Sequence, residues 1–155
     1  MGIIVQKFGG TSMGRWDRMD TDRLLQSAER VAKTKAQGHD VLVVVSAMAG
    51  LTNLLLELAG RVNPEGEPRE FDTLASTGEQ ISIGLMALAL QRLGYPSISF
   101  TGAQIGMKTD AAFTKARIQS IDTDRIRKAF RHGKIVVVAG FQGVTDEGDI
   151  TTLGR

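Results

Sequence analysis

The residues best suited to chemistry in this chain lie in three short segments rich in glycine and hydroxyl side chains. Each segment follows an apolar run: Lys7–Ser12 (KFGGTS), Ser46–Gly50 (SAMAG) and Gly140–Gly143 (GFQG). Glycines let backbone N–H groups approach an anion closely, and hydroxyls add further donors. In the first segment a lysine stands beside two glycines, where an ammonium would serve as a point charge on a phosphate. A phosphate-binding loop and an ordinary tight turn both explain these glycines.

The first segment does not match the two best-known nucleotide-binding patterns. The pattern G-x-x-x-x-G-K-[S/T] fails because Gly9 is followed by Gly14 and then by Arg15 rather than lysine. The dinucleotide fingerprint G-x-G-x-x-G also fails over residues 9–14 (GGTSMG). Neither pattern therefore identifies a nucleotide site in this chain.

Acidic residues provide a second set of candidates. Glu79 lies in the segment Ser76–Glu79 (STGE), which interrupts a largely apolar stretch. If its carboxylate is buried it needs a partner, because removing an unpaired charge from water is costly. An exposed helical glutamate is the alternative. Asp146, Glu147 and Asp149 could hold a metal ion, although a turn around the intervening glycine explains them equally well.

Composition excludes several kinds of protein. The 155 residues are 42% hydrophobic and 23% charged, which is typical of a globular chain and not of a disordered or collagen-like one. The absence of cysteine excludes disulfides, thiolate catalysis and cysteine-based zinc sites. No apolar run approaches the roughly 18 residues of a membrane span, and no secretory signal is visible. His39 and His132 flank glycines at predicted helix ends, where capping or solvent contact is expected.

The charge balance of the chain is nearly even. The net charge of +2, from 19 basic and 17 acidic residues, is too small to indicate nucleic-acid binding. Basic residues concentrate between Lys115 and Lys134. A solvated helix face accounts for them, because the helix dipole favours cations near its C-terminus. A polyanion site is the alternative, but this stretch lacks the interleaved aromatic residues that stack on bases.

The apolar pattern predicts the strands and helices that must position these residues. Val41–Val45 and Ile135–Ala139 are apolar at every position, as expected of parallel strands covered on both faces. A buried strand is predicted at Ile3–Phe8 and a weaker one at Pro96–Phe100. Capping residues and helical periodicity predict four helices: from Asp20 or Thr21 to just before Gly38, Thr52–Ala59, Phe71–Leu93 with a break near Thr77 and Gly78, and from Asp122 or Thr123 to Arg131.

The remaining segments complete an alternation of strands and helices. Val62–Glu70 is predicted to be a loop, and Thr101–Arg117 to be irregular or hairpin-like. The alternation favours an α/β fold with a mostly parallel sheet. The last predicted strand leads into a glycine-rich segment and a polar turn, with no helix after it. Because ligands bind at the carboxyl ends of strands in such folds, we interpret the chain as an incomplete domain that ends at its site.

Several motifs together resemble those of aspartate kinases, in the amino acid kinase superfamily. The matching segments span essentially the whole chain in the family's order: Lys7–Ser12 (KFGGTS), Val45–Met48 (VSAM), Ser76–Glu79 (STGE), Ser99–Gly102 (SFTG), Val138–Gly143 (VAGFQG) and Ile150–Arg155 (ITTLGR). The opening KxGG alone would leave acetylglutamate, glutamate and uridylate kinases open, whereas KFGGTS with STGE and TTLGR indicates aspartate. The resemblance implies a three-layer α/β/α fold with a mostly parallel sheet.

The resemblance also implies roles for individual residues. Lys7 is the expected catalytic residue, and the expected nucleotide-binding residues are Lys7, Phe8, Gly9 and Gly10. The expected aspartate-binding residues are Ser46, Thr52, Glu79 and Arg155. Among these, Glu79 is expected to pair with the substrate ammonium, and Arg155 to grip a carboxylate, for which a guanidinium is suited. ATP and Mg²⁺ are the implied cofactors, with the Mg²⁺ ligands mostly expected beyond Arg155 and none assigned within the chain.

The reaction implied by the resemblance is ATP-dependent phosphorylation of the side-chain carboxylate of L-aspartate to 4-phospho-L-aspartate, the first step toward lysine, threonine and methionine. Residues 1–155 are expected to be the N-terminal portion of the catalytic domain, without the C-terminal nucleotide-binding half and the ACT regulatory domains. The implied partners are L-aspartate and ATP, with no nucleic acid and no membrane, in a cytoplasmic protein that is a homo-oligomer at full length. We expect the 155 residues alone to be inactive. The alternatives are a glutamate, acetylglutamate or UMP kinase of the same superfamily, or a truncated non-catalytic binding module.

Overall fold

Two four-stranded sheets organise the chain, and the computed structural model describes residues 2–18 and 20–154. The helices are α1 (Asp22–Ala36), α2 (Leu51–Val62), α3 (Pro68–Ala75), α4 (Thr77–Arg92) and α5 (Asp124–Arg131). The strands are β1 (Ile3–Phe8), β2 (Asp40–Val45), β3 (Ser97–Phe100), β4 (Met107–Thr109), β5 (Ile118–Ile121), β6 (Ile135–Ala139), β7 (Gln142–Val144) and β8 (Ile150–Thr152). Within the described part of the chain, no helix combines the length and apolar character that crossing a bilayer requires.

The first sheet is entirely parallel and has the strand order β1-β2-β6-β3. One apolar cluster packs α1 and α4 against one face, and a second packs α5 against the other. The predicted three-layer α/β/α arrangement with a mostly parallel sheet is therefore confirmed. The strand β6 is buried at each of its positions, as its uniformly apolar sequence predicts.

The other two long strands are less covered than predicted. In β2, buried and half-buried residues alternate, so one face of this strand is only partly covered. The strand β1 forms the edge of the sheet, and its residues Ile3 and Val5 are 53% and 62% exposed. The prediction of a buried strand at Ile3–Phe8 is thus wrong except at Phe8. An apolar run predicts the strand, but its place in the sheet depends on pairing with distant residues.

The helix predicted over Phe71–Leu93 is broken where expected, between α3 and α4. Ser76 joins the two helices, and its N–H donates to the Asp72 carbonyl at 3.0 Å, in helical continuity with α3. The loop predicted at Val62–Glu70 is shorter than expected, because α3 already begins at Pro68. Proline is well suited to a first helical turn, since its missing N–H would have no helical partner there.

The second sheet was not predicted from the sequence, apart from the hairpin-like character of Thr101–Arg117. Its order is β5-β4-β7-β8, with antiparallel pairs β4–β5 and β7–β8. Each of its strands has only three or four residues, too few to produce a clear alternation of apolar and polar positions. The polar turn after the last predicted strand is the tip of a β-hairpin, in which β8 pairs antiparallel with β7.

Candidate active site

The carboxyl ends of β1, β2 and β6 lie side by side. The Ser46 N–H donates to the Phe8 carbonyl at 3.1 Å, and the Gly140 N–H donates to the Val45 carbonyl at 2.9 Å. A cavity of about 450 Å³ opens at this edge of the sheet. Its lining residues are Lys7, Val44, Ser46, Ala47, Thr52, Glu79, Gly140, Phe141, Leu153 and Gly154. The three segments that the sequence analysis singled out thus meet at one edge.

Among the described residues, Lys7 is the cation that lines this cavity. It lies one residue before the end of β1, in register with Val44 of β2, and its side chain is exposed. Among residues 2–18 and 20–154, no carboxylate forms an ion pair with its ammonium. The charge is therefore available to an anionic ligand in the cavity.

The three residues after Lys7 pack beside the cavity and do not line it. Phe8 packs its side chain into the core with α1 and α4, so only its backbone faces the strand ends. Gly9 and Gly10 do not line the cavity. A Cβ atom on Gly10 would lie 3.0 Å from the Ala47 carbonyl oxygen, so glycine allows the first loop to pack closely on the second. Of the four predicted nucleotide-binding residues, Lys7 thus lines the cavity, whereas Phe8, Gly9 and Gly10 do not.

Glu79 is the carboxylate of the cavity, and it is only 2% exposed. It lies in the first turn of α4, where the helix dipole favours a negative charge. Its Oε1 accepts the Ala47 N–H at 3.1 Å. The alternative of an ordinary exposed glutamate is therefore wrong. Glycine at position 78 makes this contact possible, because a Cβ atom there would lie 2.9 Å from the Ala47 Cβ.

Two hydroxyl side chains complete the predicted set within the described residues. Ser46 directly follows β2, and Thr52 is the second residue of α2. Both are half-buried and both line the cavity. The preceding Gly50 has a φ of 88°, which turns the chain sharply from β2 into α2. Four predicted site residues, Lys7, Ser46, Thr52 and Glu79, thus share one cavity.

Arg155, the remaining predicted site residue, lies outside the described residues. Its neighbours Leu153 and Gly154 line the cavity, and the Leu153 N–H donates to the Phe141 carbonyl at 2.8 Å. Phe141, Leu153 and Gly154 were not individually expected as site residues from the sequence. The position of the GFQG segment after a strand pointed to Phe141, whereas only the TTLGR motif pointed to the other two.

A buried carboxylate connects the second sheet to α3. Asp72 is 1% exposed, and it accepts the Thr152 hydroxyl at 2.7 Å, the Thr152 N–H at 2.8 Å and the Thr114 N–H at 2.9 Å. These bonds hold β8 against the helix that leads into α4. The end of β8, which borders the cavity, is therefore held in position by Asp72.

We expect Asp72→Ala to lower the free energy of unfolding by about 3–5 kcal/mol, because two buried donors of Thr152 and the part-buried Thr114 N–H lose their charged acceptor. At roughly 2–4 °C per kcal/mol for a chain of this size, the melting temperature should fall by about 10 °C. The control is Asp146→Ala, in the turn between β7 and β8. The side chain of Asp146 is 84% exposed, and its ion pair with Lys108 spans 3.4 Å. Thermal unfolding measures both, and equal melting temperatures for the two variants would contradict the assignment.

The acidic residues of the β7–β8 turn have partners of their own. Asp149 pairs with Arg69 of α3 at 2.7 Å, and hydrogen bonds to Asp149 and Glu70 raise the pKa of that guanidinium. Gly148 has a φ of 94°, in keeping with a tight turn. Over residues 2–18 and 20–154 no three His, Asp or Glu side chains are grouped as metal ligands. The turn is thus the interpretation that the structure supports.

The comparisons with known proteins agree with this geometry. The sequence profile of the amino acid kinase family matches residues 2–155. The whole chain is 52% identical to an aspartate kinase of Stutzerimonas stutzeri (strain A1501), and it spans 36% of the length of that relative. The crystal structure of aspartate kinase from Synechocystis superposes with a TM-score of 0.78 at 46% identity, over 99% of this chain and 24% of the other.

A second solved structure has the same fold. Escherichia coli aspartokinase III, in complex with lysine and aspartate (T-state), superposes with a TM-score of 0.80 at 25% identity, over 99% of this chain and 44% of that protein. The profile match over almost every residue, together with the three-layer fold and the cavity at the strand ends, assigns the family. The chain belongs to the amino acid kinase family.

Proposed function

We propose that this chain is the aspartate-binding part of an aspartate kinase, which transfers the γ-phosphoryl group of ATP to the side-chain carboxylate of L-aspartate. The products are 4-phospho-L-aspartate and ADP. The observation that carries the proposal is the cavity that unites Lys7, Ser46, Thr52 and Glu79 in a chain 52% identical to an aspartate kinase. The reaction is the entry to the synthesis of lysine, threonine and methionine, and we place it in the cytoplasm.

The chemistry of this reaction needs no general base. The carboxyl group of aspartate has a pKa near 4, so the nucleophile is already ionised at neutral pH. Catalysis then depends on holding two anions in line and on neutralising the charge of the transferring phosphoryl group. Lys7 supplies such a charge at the end of β1. The site therefore does not require a histidine or an activated serine.

Recognition of aspartate requires groups for its ammonium and for its two carboxylates. Glu79 pairs with the ammonium of the substrate, because a buried carboxylate is a strong acceptor for a charged donor. Ser46 and Thr52 donate hydroxyl hydrogen bonds to the substrate carboxylates. Arg155 grips a carboxylate with the two parallel N–H groups of its guanidinium.

ATP is the co-substrate, and Mg²⁺ is its expected companion. The cavity offers lysine, hydroxyl groups and one carboxylate that is already bound to the Ala47 N–H. This donor set does not fit a protein-held Mg²⁺ site, since the metal prefers several oxygen ligands in octahedral geometry. We therefore assign no Mg²⁺ ligand to the described residues, and every role above is carried by the chain's own side chains.

We further propose that residues 1–155 form the N-terminal portion of a catalytic domain in a homo-oligomeric protein. A nucleotide-binding half and ACT regulatory domains then complete the enzyme. The chain spans 36% of its relative from Stutzerimonas stutzeri, which supports this division. Alone, the 155 residues are expected to bind aspartate but not to turn over ATP.

Two measurements test the proposal. In a chimera in which this chain replaces the matching segment of the Stutzerimonas stutzeri kinase, ADP release should favour aspartate over glutamate by about 10–200-fold, the usual range for one methylene. Acetylglutamate and UMP should support no turnover. A preference for any of these three substrates would assign the chain to another kinase of the family.

Calorimetry on the chain alone should detect the binding of aspartate in the absence of ATP. A chain that bound neither aspartate nor ATP would contradict the assigned site.

A further inference from the structure

A second cavity, of about 400 Å³, lies on the α5 face of the first sheet. Its floor is formed by apolar residues of β3 and α5, and its rim carries four basic side chains. The lining residues are Ile98, Phe100, Arg125, Lys128, Ala129, His132 and Lys134. None of them lines the candidate active site, so this cavity is a separate feature of the molecule.

The four basic residues are part of the basic stretch noted in the sequence, and the structure divides that stretch. Lys128 and His132 follow Arg125 by three and seven positions, which places all three on one side of the α5 segment. The other two arginines of α5, Arg127 and Arg131, line a different cavity together with Asp40. The basic side chains therefore do not form one uniform solvated face.

The basic side chains of the rim have no acidic partner in the described part of the chain. None of the ion pairs among these residues includes Arg125, Lys128, His132 or Lys134. Like charges crowded around a low-dielectric floor repel each other, and a bound anion removes that repulsion.

Arg125 is held in place before any ligand arrives. Its Nη1 donates to the Gln104 carbonyl at 2.9 Å, and its guanidinium carbon lies 4.7 Å from the centre of the Phe100 ring. The ring is itself only 3% exposed, so the arginine rests on a rigid support. A cation fixed in this way loses little conformational entropy when it binds an anion.

We propose that this cavity binds a small organic anion that carries two or more phosphate or carboxylate groups. The volume falls within the range of about 300–1,000 Å³ that is usual for small-molecule sites. The apolar floor contacts a short carbon skeleton, while the rim cations contact the charged groups. A nucleic acid fits less well, because the apolar floor presents no exposed aromatic ring on which a base could stack: Phe100 is only 3% exposed.

Calorimetric titrations of the chain with pyrophosphate and with citrate test this site and distinguish phosphate from carboxylate ligands. The site variant is the double substitution Lys128→Gln and Lys134→Gln. The control is Arg127→Gln with Arg131→Gln, which removes the same charge from the same region but leaves the cavity intact. Lys7→Ala removes the cation found among the described lining residues of the candidate active site, and titrations in that background, combined with NMR mapping of the bound probe, distinguish binding there from binding in this cavity.

We expect at least one probe to bind, with its dissociation constant raised about tenfold or more in the site variant and less than about threefold in the control. Lys7→Ala should leave the binding unchanged. In NMR spectra the bound probe should shift the amide signals of residues 125–134. The proposal is overturned if neither probe binds, if both double variants weaken binding equally, or if binding disappears with Lys7→Ala. Because the Lys7 background and the NMR mapping together separate the two sites, failure here leaves the proposed kinase function untouched.

Discussion

Replacing Lys7 by alanine should lower kcat of the chimeric aspartate kinase by about 10²–10³, which corresponds to about 3–4 kcal/mol in the barrier. The lysine ammonium lies at the end of β1, in the cavity and without an acidic partner among the described residues. In the proposed reaction its charge is therefore positioned in advance of the phosphoryl transfer, so no reorganisation is needed when negative charge develops. Steady-state ADP release at saturating aspartate and ATP measures the effect.

A control separates this effect from a general loss of positive charge. Lys33 is exposed in the last turn of α1, away from the cavity, and Lys33→Ala should leave kcat unchanged. The KM for aspartate should change little in Lys7→Ala, because in the proposed mechanism the lysine acts on the phosphoryl group. Turnover that is equal in the Lys7→Ala and Lys33→Ala chimeras would remove Lys7 from the mechanism.

Glu79→Gln should raise the KM for aspartate by about 10–150-fold, which corresponds to the 1.5–3 kcal/mol typical of a hydrogen bond to a charged group. Glutamine has nearly the shape of glutamate, and its amide oxygen can still accept the Ala47 N–H. The substitution therefore removes the negative charge while keeping the contact that positions α4. In the proposed mode of binding, the substitution removes the attraction between residue 79 and the substrate ammonium.

Succinate, which lacks the ammonium group, identifies the cause of this loss. The unmodified chimera should bind aspartate much more tightly than succinate, and Glu79→Gln should bring the two affinities close together. A purely structural role of Glu79 would weaken both ligands equally and leave their ratio unchanged, contrary to this prediction. Glu29→Gln, an isosteric change at an exposed position of α1, should alter neither affinity.

Long apolar patterns made much of the fold predictable. The strand β6 and the two helices α1 and α5 have uniform or periodic apolar residues, and their positions agree with the prediction within a few residues. The break before α4 was also predicted. The second sheet was not predicted, because its strands are three or four residues long and are stabilised by pairing with other segments. The exposure of β1 likewise depends on which strand lies next to it.

The part of the candidate site that lies at the carboxyl ends of strands was predictable from the sequence. Lys7 and Ser46 stand at the ends of apolar runs, and parallel strands bring such ends together. Glu79 was ambiguous, because its burial results from the close approach of α4 to Ala47. No local pattern indicates that β8 returns to the cavity, since the bonds from Asp72 that hold it there join residues 80 positions apart.

The strand order β1-β2-β6-β3 has a consequence for the kinetics of folding. The first two strands are close in sequence, whereas about ninety residues separate β2 from its other neighbour β6. Long-range parallel pairing of this kind is slow, because the entropy of closing the loop is lost before the contacts form. The cavity borders the ends of all three strands, so it exists only after this slow pairing. A ligand of the cavity therefore binds only the assembled sheet and raises the free energy of its unfolding.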